Sequence, residues 1–178
     1  MNVIYKIISN FINNKSLYIG ESVTMSEHMI QAAMLAEKAK ASDSLVCASL
    51  LHDYGHFLLE DPSELVEKKL DGKHEDIGYE YLKKFFKEDV VEPIKYHVIA
   101  KRYLVRKKKY FNQLSQASKI SLKLQGGVLN KKESEEFEKN KFFKDAINLR
   151  KFDEFAKKTN IKMKNISQYE DLLRSKLL

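Results

Sequence analysis

The chain has 178 residues and a formal net charge of +7, from 32 Lys and Arg against 25 Asp and Glu, with two prolines, six glycines and no tryptophan. That length suits one domain with a sizeable core, and few Pro and Gly beside abundant Lys, Glu, Leu and Ala favour helices over strands. A single cysteine, Cys47, excludes a disulfide framework, disfavours cysteine-held zinc or iron–sulfur sites, and suits the reducing cytoplasm.

Residues 2 to 13 place Val3, Ile4, Ile7, Ile8, Phe11 and Ile12 at helical spacing, which predicts an amphipathic helix. The stretch lacks the charged start and long apolar core of a signal peptide. A short polar loop, NNKSLYIGES, carries Tyr18, Gly20 and Glu21. Thr24-Met25-Ser26-Glu27 then has the form of a capping box and opens a helix to about Lys40, with His28 in its first turns. Ser42 or Asp43 can cap the next helix, whose apolar pattern continues to about Leu58. Asp61-Pro62-Ser63 opens a short charged segment that closes at the turn signal Asp71-Gly72.

His74 starts a further helix with Ile77, Tyr81, Leu82 and Phe85 as its apolar stripe. Another begins near Asp89, where Pro93 is tolerated if it falls in the first turn; His97 and Lys101, four apart, share one face. The run Lys101 to Lys109, KRYLVRKKK, is the densest positive charge, but no nucleic-acid motif accompanies it and no nucleic-acid partner is expected. Tyr110 to Leu124 reads as a loop and then a helix closed by Gly126-Gly127. Lys131 to Lys144 reads as exposed helix or loop. Phe142 to Lys158 has helical periodicity through Ala146, Leu149, Phe152 and Phe155, with Arg150 and Asp153 near its middle, and residues 165–178 form a last amphipathic helix. No apolar run reaches membrane-spanning length, so no membrane partner is expected.

The stretch Leu45 to Leu59, LVCASLLHDYGHFLL, organises the rest. Adjacent His52 and Asp53 splay about 100° apart on a helix and could grip two sides of one metal centre, an imidazole nitrogen beside a carboxylate oxygen. A His-Asp dipeptide alone reads equally well as a surface pair or a satisfied core group. Five histidines exist in the chain, His28, His52, His56, His74 and His97, each within a predicted helix or at its start and none in a charge-rich run.

The order His28, His52-Asp53, His74, His97 and a late Asp153 resembles the HD-domain superfamily of helical metalloproteins. YIGESVTMSEHMIQAA, LLHDYGH, HVIAKRYL, SLKLQGG and LRKFDEFAK, in register from Tyr18 to about Lys157, resemble its mixed-valent di-iron oxygenases. The likeness is to the phosphonate-cleaving PhnZ and TmpB type, with inositol oxygenase a longer and more distant relative. The resemblance implies an all-α fold: a single HD-domain helical bundle over residues 1–178, with a metal core at about 18–157 and a C-terminal helix at 165–178. It implies one metal held by His28, His52, Asp53 and Asp153 and a second by Asp53, His74 and His97. Both are expected to be iron, as Fe(II)/Fe(III), with O2 as co-substrate.

The implied reaction cleaves the carbon–phosphorus bond of a small 1-hydroxyphosphonate to a carboxylic acid and phosphate. His56, Lys101, Ser118 and Arg150 match positions that bind the phosphonate oxygens, and a dianion needs such donors on independent physical grounds. Lys101, Arg150 and His56 each lie one helical turn from a ligand position. Tyr18 and Glu21 match a loop pair that covers the site and recognises a cationic end of the substrate, with Asp53 the central catalytic carboxylate. A 2-oxoglutarate-dependent hydroxylase that makes the 1-hydroxy compound is the functional partner the resemblance implies. Two other readings use the same residues: a phosphohydrolase of a nucleotide or small phosphate ester, with metal-bound hydroxide attacking phosphorus, and a catalytically silent HD module.

Overall fold

A computed structural model describes residues 2–18, 20–59 and 73–178. Among them are ten α-helices, two 3-10 turns and no strand beyond two isolated bridges, the all-α class that the resemblance implies. The helices are α1 (Val3–Asn13), α2 (Met25–Lys38), α3 (Asp43–Leu51), α4 (His74–Leu82), α5 (Glu88–Leu104), α6 (Lys108–Gln113), α7 (Gln116–Leu124), α8 (Lys131–Glu138), α9 (Phe143–Phe155) and α10 (Glu170–Ser175). The predicted segment from Asp61 to Gly72 lies outside the described residues. No helix of the described residues is long and apolar enough to cross a membrane.

Helix α3 sits at the centre, packed against α2, α5 and α9. Its residues from Ser44 to Leu51 are all buried, so the helix is apolar all round instead of striped. Its one buried hydroxyl in mid-helix, Ser49, donates to the Leu45 carbonyl at 2.7 Å and leaves no unmet donor in the core. Both caps around it follow the sequence. Ser42 Oγ accepts from Leu45 N at 3.2 Å. Thr24 and Glu27 form a reciprocal capping box at the start of α2.

The helical pattern to Leu58 is not one helix. The α-helix ends at Leu51, Asp53 leaves helical geometry at φ −102° and ψ 14°, and a 3-10 turn runs Tyr54–Leu58. The cause is the approach of the next element: a Cβ on Gly55 would stand 1.9 Å from the His74 carbonyl oxygen and 2.9 Å from Gly78 N. The 3-10 turn therefore lies directly on the start of α4, with only a glycine between.

Other expectations shift in detail. Pro93 is the sixth residue of α5, one turn deeper than the first, so that helix forgoes the bond its nitrogen would have donated to residue 89. Tyr110 is buried on a short helix of its own, α6, where a loop was expected. Lys131 to Glu138 is helical and buries Ser134 and Phe137. In α9 Phe155 is exposed, because the inward face is Ala146, Leu149, Arg150 and Asp153. Ile12 of α1 is likewise exposed, and Ile4, Ile7 and Phe11 form its buried stripe. The 165–178 helix is a 3-10 turn, Ile166–Tyr169, followed by α10 and a tail in which Leu178 N donates to the Phe85 carbonyl at 2.9 Å.

Overpacking between two backbones costs about 1–3 kcal/mol, so Gly55→Ala is expected to lower unfolding free energy by about that amount. Urea denaturation followed by circular dichroism measures it.

Candidate metal centre

Five helices and the break after α3 aim polar side chains at one buried point. His28 comes from α2, His52 from the end of α3, Asp53 from the residue beyond it, His74 from the first position of α4, His97 from α5 and Asp153 from α9. All six are buried. His28 Nε2 and His52 Nε2 stand 3.1 Å apart, with Asp153 Oδ1 at 3.3 and 3.8 Å from them. His74 Nε2 and His97 Nε2 form a second pair, also 3.1 Å apart. Asp53 divides its carboxylate between the two pairs. Its Oδ2 is 3.5 Å from His28 Nε2 and 3.4 Å from His52 Nε2, while its Oδ1 is 3.1 Å from His74 Nε2 and 3.5 Å from His97 Nε2.

Two groups of donors, His28–His52–Asp153 and Asp53–His74–His97, each lie within 4.8 Å of one another and could each hold a metal ion. Donors about 2.0–2.2 Å from a shared cation are about 3.0–3.5 Å apart in tetrahedral or octahedral coordination, which is close to the spacing found. Ring orientation agrees. The Nδ1 atoms of His28, His52 and His97 meet the backbone carbonyls of Ala156, Ser49 and Ile94 at 2.9, 2.9 and 2.7 Å. Donation there leaves each Nε2 as a lone pair turned inward, the tautomer a metal requires. Facing lone pairs and an Asp153 Oδ1 with no hydrogen-bond donor would repel in an apolar core unless a cation stood among them.

The same field shows in the ionisation of the groups. Burial by itself raises the Asp53 pKa, yet the His52 and His74 charges and bonds from His28 and His52 hold its carboxyl well below the usual range. Asp153 is likewise raised by burial and pulled lower still by Arg150 and then His28. Burial disfavours a charged His28, but bonding to Asp153 and Asp53 raises its pKa to about 9.

The predicted anion-binding residues ring this centre. His56 stacks on His74 with ring centroids 4.2 Å apart, and its Nδ1 is buried without a hydrogen-bond partner. Burial, then the neighbouring His74, lowers its pKa to about 3, so the ring is neutral and keeps one N–H to donate. Lys101 is buried and donates to Ser121 Oγ at 2.6 Å and Gln125 Oε1 at 2.8 Å, leaving one N–H unused. Burial, then the charge of Arg150, lowers the Lys101 pKa to about 7. The rest of the basic run divides: Leu104 and Val105 are core residues, and Arg106 to Lys109 face solvent.

Arg150 is also buried and forks to Asp153 and Glu154. Its Nε and the nearby Tyr110 hydroxyl have no hydrogen bond of ordinary geometry. Ser118 Oγ donates to Glu154 Oε2 at 3.0 Å. Tyr18 lies flat against the His28 ring, centroids 3.9 Å apart and planes 9° apart. Burial and the charges of Asp153 and Asp53 push its phenol pKa up, so it stays protonated. Glu21 forms an ion pair with Lys157 at 3.2 Å.

Glu154, Lys157, Ser121 and Gln125 did not stand out in the sequence. The signal available was spacing: Ser118, Ser121 and Gln125 recur at three and four along α7, and Lys157 follows Asp153 by four. Glu75 is a fifth such residue, buried beside His74 with its Oε2 3.5 Å from Nδ1 of that ring.

The family model for the HD domain matches residues 25–135. A 1-hydroxy-2-(trimethylamino)ethylphosphonate dioxygenase (glycine-betaine-forming) of Leisingera caerulea is 44% identical over 145 residues, 81% of this chain and 74% of the relative. A hydroxymethylphosphonate dioxygenase of Gimesia maris is 42% identical over 163 residues, 89% of this chain and 80% of the relative. An uncharacterized protein of Acanthamoeba polyphaga mimivirus is 38% identical over 160 residues, 88% and 73% of the two chains.

The shared position of Asp53 predicts that Asp53→Ala takes bound metal from about two equivalents to below one, whereas His97→Ala leaves about one. Elemental analysis after dialysis reads the difference.

Proposed function

We propose, of a chain that belongs to the HD-domain family and to its phosphonate dioxygenase branch, that it is an O2-dependent di-iron oxygenase breaking the carbon–phosphorus bond of a small 1-hydroxyphosphonate. The observation that carries this reading is the Asp53 carboxylate divided between two histidine pairs, beside buried Arg150 and Lys101. One O2 balances the reaction: both its oxygens enter the products, a carboxylic acid and phosphate, and no external reductant is consumed. The phosphohydrolase alternative leaves the two dioxygenase relatives unexplained.

In this reading His28, His52, Asp53 and Asp153 hold one iron and Asp53, His74 and His97 the other. Iron held by these residues, as Fe(II)/Fe(III), would supply redox activation of O2 and Lewis acidity toward the substrate. The protein's part is binding and orientation. The third N–H of Lys101, the Arg150 guanidinium and the neutral His56 ring donate to the phosphonate, with Ser118 at the edge. Tyr18, flat on His28, shields the centre from water at the mouth of the Tyr18–Glu21 loop. Glu21 shapes the end of the site that meets the substrate's substituent. A 2-oxoglutarate-dependent hydroxylase supplies the 1-hydroxyphosphonate. The enzyme works as one HD domain in the cytoplasm, without nucleic acid or membrane.

With the iron-loaded protein, phosphate release from hydroxymethylphosphonate or a 2-substituted 1-hydroxyethylphosphonate is expected in air, with matching O2 uptake, and not under nitrogen. Phosphate released from phosphate esters without O2 would instead establish a phosphohydrolase.

Lys101 supplies the pH dependence. It is charged below about pH 7 and neutral above it, so kcat/KM is expected to fall as pH rises past that value. The dianion, once bound, favours the protonated amine, so kcat falls less. Lys101→Arg, charged at every accessible pH, is expected to flatten the kcat/KM profile, measured by initial rates between pH 6 and 9 at saturating O2.

A further inference from the structure

The positive charge of the chain is gathered in one place. Of the 32 basic residues, eleven lie in the forty residues between Glu92 and Glu133, where no acidic residue occurs, and the rest of the chain carries 21 basic against 25 acidic. The whole net excess of +7 therefore resides in this stretch, which folds as most of α5, then α6 and α7. Lys101 faces inward, and Arg102 and Lys131 reach Glu133 and Glu135 at 3.3 and 3.9 Å. Among the described residues, no carboxylate lies within ion-pair reach of Arg106 to Lys109, Lys119 or Lys123. A surface laid out only for solubility intersperses both signs.

Apolar side chains stand exposed in the same stretch. Ile120 and Leu124, four apart on α7, share its outer face at 56% and 39% exposure, and Val128 just beyond the helix is 52% exposed. Phe111 of α6 is also exposed, and the Lys119 ammonium stands 5.6 Å over its ring, so cations and apolar groups adjoin. The amide side chains of Asn112, Gln113 and Gln116 are exposed beside them. The inward side of α7 is taken: Ser121 and Gln125 accept from Lys101, and Ser118 from Lys157. Its outward side is open.

We infer that the outer face of α6 and α7 is a docking surface for an acidic partner protein, one whose carboxylates surround an apolar centre. Aliphatic side chains bordered by unpaired cations and by amides are the counterpart of such a surface in shape and in charge. The amides need directional partners, which a protein supplies and lipid tails do not. Ile120 and Leu124 offer no hydrogen bond to a phosphate or a base edge. A second copy of this chain, paired about a two-fold axis, would set these cations against one another. Nothing in this surface depends on the reaction catalysed at the metal centre.

Fluorescence anisotropy on the metal-loaded protein tests this, with a labelled helical peptide that carries leucines at helical spacing among glutamates, and a scrambled peptide of the same composition. The patterned peptide is expected to bind at least about tenfold more tightly than the scrambled one. Ile120→Ser with Leu124→Ser is expected to abolish that difference. Lys107→Glu with Lys109→Glu is expected to weaken the patterned peptide about tenfold, whereas Lys84→Glu with Lys162→Glu, the same charge change outside the stretch, leaves it within about twofold. All the substituted side chains are exposed, so each variant is expected to fold. Binding of neither peptide overturns the inference. Equal binding of both, or equal loss in the two charge variants, also overturns it, since that is the mark of charge alone. Tighter binding to vesicles of phosphatidylcholine with about 30% phosphatidylserine, or to duplex DNA, that is lost in the Ile120 and Leu124 variant gives the face to lipid or nucleic acid and overturns the protein partner. A dimer in sedimentation velocity that the same variant abolishes gives it to a second copy, with the same consequence.

Discussion

Four imidazole nitrogens turned toward one buried carboxylate form an arrangement that an apolar interior tolerates only with positive charge in its midst. Asp53 is that carboxylate, and much of the molecule is disposed to hold it there. Helix α3 is enclosed on all sides and cannot shift, and it ends at Leu51, so the next two side chains leave in different directions. The 3-10 turn then drops Gly55 onto the His74 carbonyl, which sets the second histidine pair against Asp53 Oδ1. Backbone carbonyls at Ser49, Ile94 and Ala156 fix three of the rings. The orientation of these three rings is therefore set by main-chain atoms, which side-chain substitutions elsewhere leave in place.

Charge around this centre is arranged in a chain. Arg150 bridges Asp153 and Glu154, Glu154 meets Lys157, and Lys157 meets Glu21. Acid and base alternate from Asp153 to Glu21. Each buried charge has an opposite neighbour, which is the condition for keeping several ionised groups together out of water. A bound phosphonate would add a dianion at the Arg150 and Lys101 end of this chain.

The sequence made the helices legible where apolar residues recur at three and four, and the caps legible at Thr24 and Ser42, because both signals are local. The His and Asp series was legible because those residue types are few and ordered. The break at Asp53 was not, since the apolar pattern runs on without a proline and only the contact of Gly55 with α4 ends the helix. Glu154 and Lys157 were hidden for another reason. In a chain with 32 basic and 25 acidic residues, one Glu and one Lys on a charged helix look solvated, and only the packing of α7 and the Tyr18 loop turns them inward. Phe155 shows the converse, an aromatic at helical spacing that faces out because Arg150 and Asp153 take the inner face.

The bond from His28 to the Ala156 carbonyl joins residues 128 apart in the chain, and Gln31 makes two more across the same seam, to the backbone of Lys158. Contacts of such sequence separation form late, because the loop between them must close first. On a ribosome the ring of His28 finds its orienting partner only after α9 has emerged. His52, Asp53, His74 and His97 all precede residue 98. The group His28, His52 and Asp153 is therefore complete only once α9 has been made, whereas Asp53, His74 and His97 all lie within the first 97 residues.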